Sequence, residues 1–129
     1  MQKIEDAVSG VLEAMRQRGL GDYSIRCMNW SVYRPIVNWH YKHDTEFCSY
    51  ELLVSLCEHQ RARHEGGEIS RKFYRSFVTA SFRIHSYVTT GEVDFSIVKD
   101  ARRYRPNESY HELTEAILRS TDLADGHEN

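Results

Sequence analysis

The sequence predicts an all-α fold, a four-helix orthogonal bundle followed by a linker and one further helix. Three observations carry this expectation. Apolar residues recur at spacings of three and four in four successive segments. Glycines and capping residues stand where those segments would end or begin. The 129 residues are 40% apolar, with five Phe, eight Tyr and two Trp, enough for the core of one ordinary domain.

The first helix is read from QKIEDAVSGVLEAMRQRG, where Ile4, Ala7 or Val8, Val11 and Met15 share a face. Gly19 and Gly21, either side of Leu20, end it. The second lies in DYSIRCMNWSVYRPIVNWHYKHD, with Ile25, Met28, Val32, Ile36 and Trp39 inward and Asp22 or Ser24 as cap. Pro35 removes a backbone donor inside this pattern, so a kink or break is expected near residues 31–34. The third starts near Cys48 or Ser49 and turns Leu53, Leu56 or Cys57, and Gln60 inward, until Gly66 and Gly67 stop it.

The fourth helix opens on Ser70 as N-cap, with Phe73, Phe77, Ala80, Ile84 and Tyr87 or Val88 facing the core. Rotated away from them are Arg71, Arg75, Thr79, Arg83 and Ser86, a polar and basic stripe at spacings of four, four, four and three. Thr89, Thr90 and Gly91 close the helix, and EVDFSIV reads as an extended tail or very short strand. ARRYRPNE is a linker, ESYHELTEAILRST a fifth helix, and DLADGHEN a terminus with nothing apolar to dock it. We therefore divide the chain into residues 1–98, a helical domain, and residues 99–129, a basic linker and the start of a following helical segment.

The net charge of −2 hides an asymmetry. Residues 61–105 hold ten Lys or Arg against five Asp or Glu; the rest of the chain holds seven against fourteen. A clustered positive surface is what attracts phosphates, so the local balance matters more than the total. A helix with an apolar inner face and an outer stripe of Arg, Lys and Thr can lie against DNA, its guanidinium groups reaching phosphates or guanine edges. Arg61 and Arg63 would extend that field from the third helix, and Arg102, Arg103 and Arg105 from the linker.

Catalytic and metal chemistry is not signalled. Cys27, Cys48 and Cys57 are odd in number with no CxxC pair, which suits core thiols rather than a disulfide framework. His40 and His43 stand three apart, but no HExxH pattern or carboxylate set accompanies them, and they read as surface or helix-end histidines. Gly66-Gly67 leads to Glu68 rather than to a phosphate loop, and no GxSxG elbow occurs. Neither cofactor, metal, small-molecule substrate nor membrane is expected as a partner. Without a membrane span or a secretory leader pattern, the expected location is the cytoplasm.

Spacing across three of the segments carries a resemblance. Gly67, Glu68, Ile69, Ser70, Tyr74 and Arg75 form a "GEIS–x–x–x–Y–R" entry to the fourth helix, close to the "GEIS–x–x–Y–x–R" order, and Thr90, Gly91, Asp94, Phe95 and Ser96 follow its end as "TGxxDFS". Together with GLGDYSIRCMNW ahead of the second helix, this resembles the N-terminal core-binding domain of tyrosine recombinases, the phage-integrase class, over roughly residues 5–98.

The resemblance implies a SAM-like bundle that forms half of a clamp around duplex DNA at a crossover site and touches neighbouring recombinase protomers. It implies DNA contact by Arg71, Lys72, Arg75, Thr79 and Arg83, and in the second helix by Ser24, Arg26, Asn29 and Arg34. The catalytic residues of that class belong to a C-terminal domain, and no His-x-x-Arg pair occurs here, so no strand transfer is expected of this chain alone. The alternative is a stand-alone helical interaction module with no nucleic-acid role, using Trp30, Tyr33 and Tyr41 as an exposed apolar surface.

Overall fold

Pro35 sets the shape of the longest helical run. In the computed structural model, which describes residues 1–95, helix α2 (Asp22–Met28) passes through one π-helical turn (Asn29–Tyr33) into α3 (Arg34–Lys42) without leaving the helical backbone region. Pro35 has no N–H to return to the carbonyl four residues back. The ladder widens just before it instead, and the Arg34 N–H donates to the Asn29 carbonyl five residues back. The anticipated kink is thus a π turn, not a break.

That extra residue also rotates the buried face. Ile25, Val32 and Ile36 are buried as the spacing predicts, while Met28 and Trp39 are only half-buried. Tyr33, Val37 and His40 are buried as well. Tyr33 is therefore core rather than exposed surface, its hydroxyl donating to Met15 Sδ at 3.7 Å. Burial pushes the phenol pKa up. Neither Asp22 nor Ser24 caps α2; Gly21 occupies the cap position, and Asp22 instead accepts from Arg16 at 3.2 Å.

The remaining elements are α1 (Ile4–Gln17), α4 (Tyr50–Glu65) and α5 (Arg71–Thr90), so all four predicted helical segments are present and the described chain is all-α. Ile4, Ala7, Val8, Val11 and Met15 of α1 are buried, as are Leu53, Leu56, Cys57 and Gln60 of α4. Ser49 and Ser70 cap α4 and α5, accepting the Leu52 and Phe73 N–H groups through their side chains. Gly91 ends α5 in the left-handed region, φ 81°. Among the described residues no helix is long and apolar enough to cross a membrane.

Helix α5 is the central element, packed against α1, α4 and the π turn. Its burial follows from that position: Tyr74, Phe77, Val78, Ala80, Ser81, Phe82, Ile84 and Ser86 are all buried, which surrounds much of the helix rather than one stripe. Phe77, 1% exposed, alone contributes about 1.5–3 kcal/mol of apolar burial. Phe73, Tyr87 and Val88 pack at the edge of the same core.

Two connections were not legible beforehand. Residues 43–49 clamp the N-terminus: Ile4 N–H donates to the Glu46 carbonyl and Cys48 N–H to the Gln2 carbonyl, each at 2.8 Å, around an isolated antiparallel bridge between Lys3 and Phe47. His40 holds that connection from below. It is fully buried, not a surface histidine; Nδ1 lies 2.8 Å from the Ile36 carbonyl, and Nε2 accepts the Ser49 N–H at 3.1 Å.

The second connection follows Gly91. Instead of a strand, residues 92–95 fold back, with Asp94 N–H donating to Ser86 Oγ at 2.9 Å and Val93 and Phe95 packed on the core. The boundary expected near residue 98, the basic linker and the fifth helix lie outside the described residues.

Candidate nucleic-acid interface

Helix α5 carries four basic residues and no acidic one, whereas α1 carries three acidic residues and one basic. The cations are unevenly placed. Arg71 and Lys72 occupy the exposed first turn, beside the Ser70 cap, with no carboxylate in that turn. Arg75 and Thr79 follow at four-residue steps on the half-buried flank, each step rising about 6 Å along the axis. Ser76 Oγ donates to the Lys72 carbonyl at 3.1 Å, so this small hydroxyl is spent on its own helix.

The predicted stripe does not run on to the end of the helix. Ser86 is buried, its hydroxyl donating to the Arg83 carbonyl and accepting from Asp94, and is removed from any external contact set. Arg83 is half-buried. Its Nη1 points at Met15 Sδ, 3.9 Å away, its guanidinium lies 5.2 Å from the Phe95 ring centroid, and its Nε is enclosed without an acceptor. The i+4 spacing was right, but α1 and the returning tail close over its last turns.

Neighbouring candidates differ in how far their charge is already neutralised. Arg61 pairs with Glu65 at 2.7 Å and Arg63 with Glu68 at 3.4 Å, and Arg63 Nη1 also donates to Gln60 Oε1 at 3.0 Å. In the second segment Ser24 and Arg26 are exposed and Asn29 is half-buried. Arg34 is engaged by Glu5 at 2.9 Å. Hydrogen bonds from Tyr41 and Arg34 hold the Glu5 carboxyl below the usual range. Arg102, Arg103 and Arg105 lie outside the described residues.

One cation was missed by sequence reasoning. Arg18, at the C-terminal cap of α1, places its guanidinium 4.4 Å from the centroid of the same Phe95 ring that Arg83 touches. Nothing in the sequence joins positions 18, 83 and 95, because only the fold-back after Gly91 brings them together.

The cysteines and histidines form no shared centre. Cys57 is buried against Ser81, 3.3 Å away, and burial pushes its thiol up to about 12; Cys48 is half-buried, pushed up to about 11. Cys27, expected in the core, is exposed because the π turn and Ile25 set the other side of the helix inward. Among the described residues no three His, Cys, Asp or Glu side chains are grouped to hold a metal ion. His43 and His59 instead pack beside Trp39, with ring centroids 4.7 and 5.1 Å from it.

No protein-family model, curated protein or solved structure matches this chain.

Proposed function

We propose that this chain is a duplex-DNA-binding helical domain, in the manner of the SAM-like core-binding half of a site-specific tyrosine recombinase clamp. It would hold a crossover site during DNA integration and recombination while strand transfer is carried out by a catalytic domain outside this chain. The observation that carries the reading is the composition of α5, four basic residues and no acidic one, with two of the four in its first turn. A helix N-terminus is the positive end of the macrodipole, so cations there cost stability where Asp or Glu would add it. Arg71 and Lys72 occupy that turn, to which the helix itself contributes no acidic residue, an arrangement that suits a phosphate. Arg75 and Thr79 continue the face as phosphate contacts.

Arg61 and Arg63 are secondary contributors in this reading, since their carboxylate partners must be exchanged for phosphate, and Arg83 is secondary because it is half-buried. Duplex DNA and further recombinase protomers are the partners it implies, and the cytoplasm the compartment. The test is fluorescence anisotropy on a labelled duplex across a salt series. Lys72→Ala with Arg75→Ala should weaken binding several-fold and reduce the salt slope, at an unchanged helical signal. Unchanged affinity would refute the assignment.

A second reading has one observation in its favour. Tyr23 and Trp30 are 74% and 81% exposed and seven residues apart, two turns along the outer side of α2 and the π turn. A helical interaction module using that side would show concentration-dependent size by light scattering, with no response to DNA.

A further inference from the structure

Four arginines of the bundle, Arg16, Arg34, Arg61 and Arg63, are held by carboxylates. Arg18 and Arg83 are not; among the described residues neither forms an ion pair, and both turn to the ring of Phe95. Their guanidinium carbons lie 4.4 and 5.2 Å from one centroid, which holds two like charges within roughly 10 Å, about a Debye length at 0.1 M salt.

An aromatic face attracts a cation but gives its N–H groups no strong acceptor. Arg18 is exposed, and among the described residues no acceptor takes its planar donor fork, the geometry that suits a phosphate bidentately. Arg83 keeps an enclosed Nε without an acceptor, and its other partners are neutral, the Met15 thioether and the Tyr33 hydroxyl.

We propose that Arg18 and Arg83, gathered by Phe95, form a phosphate-binding pair that carries the basic face of α5 across to the end of α1. The ligand is a backbone phosphate of duplex DNA, so the proposal rests on the DNA-binding reading above and adds to it a second wall of the interface. Phe95 is the positioning residue. It is held by the fold-back that starts at Gly91 and is pinned where Asp94 N–H meets Ser86. The arrangement gives the duplex two anchors on different elements, one at the first turn of α5 and one where α1 ends.

The test uses the full chain and a labelled duplex, with affinity measured between about 50 and 200 mM salt, the range over which counterion release is read. Arg18→Gln should weaken binding roughly three- to tenfold and reduce the salt slope by about 1, since one phosphate contact is lost. Phe95→Ala removes no charge; it should weaken binding while the slope stays at the wild-type value. Lys42→Gln, on an exposed lysine at the end of α3, controls for the general loss of a positive charge.

If wild type binds and Arg18→Gln behaves like Lys42→Gln, the pair is overturned while the DNA reading survives. If Phe95→Ala binds as wild type does, with its melting midpoint unchanged, the positioning role is overturned. Absence of duplex binding by wild type overturns the DNA reading and the pair together, and no variant then responds.

Discussion

Gly10 sits in the middle of α1, where glycine costs about 1 kcal/mol relative to alanine. Gly10→Ala would therefore stabilise an isolated helix. In the folded chain the new Cβ would lie 2.2 Å from Cζ, 2.4 Å from Cε2 and 2.5 Å from Oη of Tyr87. Carbon atoms pack at about 3.5–4.0 Å, so the ring must retreat by more than 1 Å. Tyr87 is packed against the core at the α1–α5 crossing and moves as a rigid plane.

Overpacking of this kind costs about 1–3 kcal/mol, which offsets the propensity gain and leaves a net loss of up to about 2 kcal/mol. A loss of 1 kcal/mol would lower the melting midpoint of a domain this size by about 4–8 °C. With Tyr87→Ala in the background the clash is gone, and Gly10→Ala should then stabilise by about 1 kcal/mol. The reversal, measured as a coupling energy of about 1–3 kcal/mol in a double-mutant cycle by urea unfolding, is the signature. Equal effects of Gly10→Ala with and without the Tyr87 ring would show that the close approach is not what keeps glycine there.

Two further predictions concern charge. Lys72→Glu replaces a cation by an anion in the first turn of α5 and should raise the melting midpoint at low salt while abolishing most duplex affinity. Parallel changes in stability and affinity would separate Lys72 from the phosphate-contacting role. His40 is the acid-sensitive link: burial lowers its pKa below the usual 6.5, against the smaller opposing effect of its bonds to Ile36 and Ser49. A depressed folded-state value means that its contribution is complete above 6.5 and is lost as pH falls below it, when a second ring proton would oppose the Ser49 N–H. The urea midpoint of wild type should therefore drop between pH 7.5 and 5.5 more than that of His40→Gln; equal drops would remove His40 as the cause.

Much of the bundle was written in local pattern. The inward faces of α1 and α4, the serine caps of α4 and α5 and the glycine at the end of α5 follow from helical spacing and from backbone groups that need partners close by. The charge asymmetry was equally visible, because α5 has no acidic residue to read past. Pro35 announced a disturbance but not its form. A π turn and a break both dispose of a missing donor, and only packing against α5 favoured the continuous helix that buries Tyr33 and exposes Cys27.

What tertiary structure alone decided is which members of a regular stripe remain outside. Arg71, Arg75, Thr79 and Arg83 follow at four-residue steps, each turned about 40° from the one before, and α1 and the tail after Gly91 cover the later turns. Ser86 became a buried bond to Asp94, Arg83 a partner of Phe95, and Arg18 its neighbour from a helix more than sixty residues away in sequence. Periodicity reports the angle of a side chain about its own helix axis. It carries no information about where along that axis another element lies across it, and that distance in space determined the site.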